Sequence, residues 1–237
     1  MSSNVTMHAV DRIEAHLEDG PWPWAVANRE RVRAHWDRLS RANPALFNGQ
    51  VLIGRNRQIR AGCLQVRYVA IDYASFLTFR DLGFPDPSAG NCFGMAALRS
   101  ADGAYVLGVM AGHTANAGRI YFPAGTPDPA DVLPDGRVDL QGNVLRELAE
   151  ETGIRPDEVE VGQGWTVVIE GGRTALMREI RIDLPAERLR ARIVSFLRSE
   201  TRPEFSDVRL VRSVAEAEGD GIPTFVQAYL RQALGAG

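Results

Sequence analysis

Apolar positions along the chain recur with two periods, and the switches between them predict the elements. Across residues 25–42, Val32, Trp36 and Leu39 recur at helical spacing among charged residues, which predicts an amphipathic helix. Pro44 disfavours helical backbone at Asn43 and stops it there. Residues 50–54 and 63–71 read as strands, with Leu64, Val66, Tyr68 and Ala70 alternating on one side of the second. Asp72 is placed to cap a short helix reaching Phe79 and stopped by Gly83. Residues 83–90, which include Pro85 and Pro87, read as a linker.

Beyond the linker the periods alternate faster. Apolar runs at 93–98 and 105–110, parted by Ala101-Asp102-Gly103, predict a hairpin. A short strand at 119–122 runs into Pro123-Ala124-Gly125. A loop rich in Pro, Asp and Gly fills 126–136, and a helix follows at 140–152. Strands are expected at 165–169, 175–182 and 208–211, and helices at 186–198 and 223–234. Alternating strands and helices make an α/β or α+β sandwich the expected class. Residues 1–88 (helix, hairpin, short helix) are expected to form an extension that packs on a core domain of residues 89–237.

Composition narrows the function. The 237 residues, 45% hydrophobic and 24% charged, suffice for one sizeable core. A formal net charge of -3 supplies no basic field for nucleic acid. All 27 basic residues are arginine. Arginine suits phosphate-binding forks, but most of these fall on surface helices and read as a compositional bias. The first twenty residues lack the apolar stretch of a signal peptide, and no uncharged apolar run approaches the ~18 residues of a membrane span. Two cysteines outside any metal-like spacing, Cys63 and Cys92, fit a reduced, cytoplasmic protein.

One stretch stands out chemically: RELAEETG, from Arg146 to Gly153. At about 100° per residue, Glu147, Glu150 and Glu151 fall within one arc while Leu145, Leu148 and Ala149 take the opposite side. Glu147 and Glu151 are like charges at i, i+4, unfavourable by about 0.2–0.5 kcal/mol. Two of the three glutamates also crowd the helix C-terminus, where the dipole disfavours anions. A divalent cation would remove both penalties, and carboxylates favour Mg²⁺ or Mn²⁺. The plainer reading is a solvated acidic face.

The wider context bears on that choice. RELAEETGI, residues 146–154, fits the second half of the Nudix box, and YFPAG upstream resembles the FPGG that enters it. From about Asn91 onward the chain therefore resembles the Nudix hydrolases. The resemblance implies a Nudix-type α/β/α sandwich with a mixed β-sheet, here carrying an N-terminal helix-plus-strand extension. It also implies Mg²⁺- or Mn²⁺-dependent hydrolysis of the diphosphate bond in a nucleoside diphosphate linked to another group. Glu147, Glu150 and Glu151 would hold the metal, with Glu150 and Glu151 also catalytic and Arg146 a structural partner within the helix. The first half of the box departs from the pattern: thirteen residues separate Gly125 from Asp139, and six separate Asp139 from Arg146. Asp139 is therefore either an N-cap of the helix or the displaced first acid.

Such enzymes often take a further acid from outside the box. Glu204 is the candidate, with Glu170 next; either also reads as a solvated loop acid. His113 in a small, glycine-flanked loop, with Arg119 and Tyr121 on the strand that leads to FPAG, are the candidate substrate-binding residues. The coenzyme A signature of the family would need arginines where Thr114 and Val109 stand. NPALFNG (43–49) and DYASFLTFRDLG (72–83) look like segments that frame the substrate in nucleoside-diphosphate-sugar hydrolases, so a nucleotide sugar is the lead substrate. A dinucleotide, a coenzyme A ester, a damaged nucleotide, or a sensing module that binds without cleaving remain as alternatives. A homodimer is implied only by resemblance.

Overall fold

The computed structural model describes residues 4–114 and 116–235. Two strands, Val5–Val10 (β1) and Arg12–Leu17 (β2), precede two helices, Pro23–Ala27 (α1) and Arg29–Ala42 (α2). A hairpin of Gln50–Arg60 (β3) and Cys63–Asp72 (β4) leads into Tyr73–Asp81 (α3). Next come Ala89–Arg99 (β5), Tyr105–Met110 (β6) and the short strands Ile120–Tyr121 (β7) and Ala124–Gly125 (β8). Leu140–Thr152 (α4), Glu160–Val161 (β9), Trp165–Glu170 (β10) and Arg173–Arg181 (β11) follow. The chain ends with Ala186–Ser199 (α5), Phe205–Val211 (β12), Val214–Ala217 (α6) and Thr224–Gly235 (α7).

The sheet is mixed, in the order β1-β10-β11-β5-β3-β4-β2, with β6 paired to β12, β5 and β7. The pairs β11–β5 and β2–β4 are parallel, and the other neighbours along that path are antiparallel. Period-two alternation along β5 builds the sandwich. Phe93, Met95 and Ala97 face Phe225, Val226 and Tyr229 of α7. Ala96 and Leu98 face Val144 and Leu148 of α4 and Leu189 and Ile193 of α5. The fold is thus a mixed α/β sandwich, as the alternation predicted.

The differences from expectation have local causes. The helix expected at 25–42 breaks at Asn28, whose side-chain amide donates to the Trp24 carbonyl at 2.8 Å. β3 runs six residues past its expected end, carried through polar positions by its pairing with β4. β1 and β2 carried no sequence expectation: VTMHAV and RIEAHL are short, and mostly exposed or half-buried. They exist because β10 and β4 offer them a ladder. Through β1 the N-terminus enters the same sheet as the C-terminal half, every residue of Val5–Val10 pairing with β10.

Candidate active site

Helix α4 starts at Asp139, whose carboxylate accepts the Gly142 N–H at 2.9 Å. Of the two roles left open for Asp139, the structure shows the N-cap. The helix stops at Gly153, whose φ of 69° lies in the left-handed region that a Cβ would strain. Val144 and Leu148 bury one face of α4. The opposite face turns its glutamates toward β8, the FPAG strand. There Gly125 passes so close that a Cβ on it would overlap the Glu147 carboxylate. The neighbouring Ala124 N–H donates to Glu151 Oε2 at 3.0 Å.

These contacts bury charge. Glu151 is only 4% exposed. Burial first, and then the Glu204 and Glu147 charges, hold its carboxyl well above the usual carboxylate range, against the single Ala124 hydrogen bond. Burial also pushes the Glu147 carboxyl up to about 7, with Arg146 opposing and Glu150 and Glu204 adding to the rise. The loop before β12 delivers Glu204 to this spot, fastened where its carbonyl accepts the Ala111 N–H at 2.8 Å. Glu150 is the outlying member, its side chain 58% exposed and hydrogen-bonded to Arg146 at 3.0 Å. Glu147 and Glu151 thus meet at β8, Glu204 lies near enough for its charge to act on both, and Glu150 sits at the rim.

Arg146 organises the rim. One guanidinium nitrogen reaches Glu147 at 2.9 Å and Glu150 at 3.0 Å, and the other reaches Asp131 at 3.2 Å. Asp131, 7% exposed, also accepts the Asn143 side-chain amide and the Asp128 N–H, each at 3.0 Å. Sequence reasoning missed this residue, having looked for the acid at Asp139. The signal was present in DPAD, residues 128–131, whose Asp128 and Asp131 close a reciprocal capping box around a turn of 3-10 helix.

The donor set suits a hard divalent cation. Glu147, Glu151 and Glu204 present only carboxylate oxygens, and burial with neighbouring negative charge disfavours the ionised forms of Glu147 and Glu151 unless positive charge arrives. Among the described residues no three His, Cys, Asp or Glu side chains form a ready cation cage, in keeping with Arg146 holding two of the glutamates.

Beside the acids opens a cleft of about 730 Å³, whose lining includes Tyr121 and Ala124. Its walls carry Arg80, Arg119 and Arg173 among aromatic rings such as Tyr73, Phe76 and Phe225. Helix α3, from the N-terminal half, supplies one wall through Tyr73, Phe76 and Arg80. Tyr121 and Tyr73 sit close enough to the acids for Glu204 to raise both phenols, chiefly on top of their burial. Of the substrate-binding candidates, Arg119 and Tyr121 line the cleft, whereas His113 lies exposed on the β6–β7 loop and outside the lining. Glu170 is buried at the far end of the cleft, where it accepts the Thr224 hydroxyl.

No protein-family model and no curated protein matches this chain. Among solved structures it is similar to RenU, a Nudix hydrolase from M. smegmatis, at 15% identity over 62% of this chain and 86% of that one, with a TM-score of 0.40. It is similar to a MutT protein from Methanosarcina mazei Go1 at 18% identity over 60% and 91%, with a TM-score of 0.39. NrtR from Shewanella oneidensis is 18% identical over 60% of this chain and 61% of its own, with a TM-score of 0.37.

Proposed function

We propose that this protein is a metal-dependent hydrolase that cleaves the diphosphate bond of a nucleoside diphosphate linked to a second group, with a nucleotide sugar as lead substrate. The observation that carries the reading is a set of buried carboxylates, Glu147 and Glu151 with Glu204 beside them, at the edge of an arginine-bearing cleft. Glu147, Glu150 and Glu151 would hold Mg²⁺ or Mn²⁺, with Glu204 as a further ligand or as the base. A bound divalent ion would neutralise diphosphate oxygens and lower the pKa of an attacking water.

The chain's own residues supply the rest. Arg119 and Arg80, both in the lining of the cleft, would grip phosphate oxygens through fork-shaped guanidinia. Tyr73 and Phe76 offer flat apolar surface for the organic part of the substrate. The Ala124 N–H holds the Glu151 carboxylate in one orientation. His113 is left out of this set because it is exposed and does not line the cleft. Free buried cysteines and a nucleotide substrate suit a cytoplasmic setting.

A second reading has one observation in its favour: Arg146 already neutralises Glu147 and Glu150. A module that binds a nucleotide without cleaving it would need no further cation. A phosphate-release screen with Mg²⁺ over nucleotide sugars, dinucleotides, coenzyme A esters and oxidised nucleotides separates the two. Turnover of a nucleotide sugar is the expected result. Silence across the panel, with tight binding of one member, selects the sensor.

A further inference from the structure

A second cavity, of about 650 Å³, shares no lining residue with the first. It is walled by β2, by the loop that leads into α4, by the first turn of α4 and by the start of β10. Three arginines line it: Arg12, Arg137 and Arg178. Two of them are paired at the surface, Arg12 with Glu14 at 3.2 Å and Arg137 with Asp135 at 2.7 Å.

Arg178 is different. It is half-buried on β11 and, among the described residues, has no carboxylate partner. Its guanidinium lies over the Trp165 ring, 4.8 Å from the centroid, and donates only to neutral oxygens: the Gly164 carbonyl and Gln141 Oε1, the latter at 3.0 Å. Its Nε is buried with no hydrogen-bond partner. A guanidinium drawn out of water and left without a counter-ion is costly, and an unsatisfied buried donor calls for a cause. The acids in the same wall do not supply the missing charge. Asp139 is turned to the Gly142 N–H, Glu14 to Arg12 and Gln65, and Asp11 lies against Gly62.

We propose that this cavity is a binding site for a phosphate group, free or carried on a small molecule, held by Arg178 with Arg137 and Arg12. Three guanidinium forks suit an ion with more than one negative charge and several acceptor oxygens better than they suit a single carboxylate. His16, in the same wall, adds a ring donor. The Arg178 bond to Gln141 ties the site to the first turn of α4, so occupancy bears on the helix that carries Glu147 and Glu151.

Isothermal titration of the full chain tests this, without added metal or diphosphate, so its outcome is independent of the proposed hydrolysis. The probes are sodium phosphate and a nucleoside monophosphate. Saturable binding is expected for at least one, and equal affinities identify free phosphate as the ligand, whereas tighter nucleotide binding identifies a carried phosphate. Arg178→Gln is expected to weaken binding about tenfold, as the loss of one charge-assisted hydrogen bond implies. Arg137→Gln, at an exposed arginine whose change does not threaten the fold, is expected to weaken it in the same direction. Arg188→Gln, at an exposed arginine of α5 that lines neither cavity, leaves it unchanged. No saturable heat, affinity that survives both cavity variants, or an equal loss in Arg188→Gln overturns the proposal.

Discussion

Glu151 is nearly shut off from water, keeps one backbone hydrogen bond and faces two other carboxylates. Removing its charge relieves the fold while stripping the site of an anionic oxygen. Glu151→Gln is therefore expected to melt no lower than the unaltered protein while Mg²⁺-dependent turnover nearly vanishes. Turnover that survives the change would refute the assignment. Glu147 adds a pH dependence with a definite sign. Its carboxyl is raised from the usual 4.5 to about 7, so the folded state favours the proton more than the unfolded chain does. Without divalent metal, this contribution to stability is full below pH 4.5 and is lost as pH rises through about 7. A cation competes with the same proton, so Mg²⁺ should stabilise the protein more as pH climbs through that window. Melting curves across pH, with Mg²⁺ and with a chelator, read both slopes; parallel curves would contradict them.

Helix α4 is an element that could be read from sequence almost to the residue. Leucines at helical spacing, an aspartate at the N-cap and a left-handed glycine at the end are each local signals, so α4 lies at 140–152 as expected. The loop before it was not legible in the same way. Asp131 acts on Arg146 across fifteen residues of chain, and only the folded turn brings its carboxylate under the helix. Glu204 is similar: nothing in TRPEFSDV says that its loop closes onto α4. β1 and β2 escaped for another reason, since their pairing energy comes from partners more than 45 residues away in the chain. The loop before α4 makes a prediction of its own. Asp131→Ala leaves the Asn143 amide, the Asp128 N–H and one side of Arg146 without an acceptor, a loss of about 2–3 kcal/mol. Freed of Asp131, Arg146 settles fully on Glu147 and Glu150, so turnover should fall alongside the melting temperature. Asp131→Asn, which keeps an acceptor in place, should recover part of both.

At the scale of the molecule, the question is whether residues 1–88 and 89–237 act as two units or one. Their backbones meet in the full-length ladder of β1 with β10, in the β3–β5 pairing of Gly54 with Gly90 and Arg55 with Ala89, and where Ala15, Leu17 and Leu52 bond the backbone of the loop before α4. More apolar side chains cross the seam than either ladder shows. Val10, Leu52, Leu64 and Tyr68 from the first half pack in one cluster with Leu140, Val167 and Leu176 from the second. Tyr68, fully buried, also donates its hydroxyl to the Cys92 carbonyl at 3.0 Å. With a shared core, neither half can lose its packing without exposing the other's, so unfolding should be a single transition. The tryptophans make this measurable, because Trp22, Trp24 and Trp36 report on the first half and Trp165 on the second. Retaining only Trp22 in one variant and only Trp165 in another should give coincident fluorescence midpoints in urea. Leu64→Ala, at a site with no exposure inside the seam, should lower both midpoints together by a cavity cost of about 2–5 kcal/mol. If the Trp22 signal shifted alone, α3 would be a loosely attached wall, and the cleft it closes would have to form in a separate docking step.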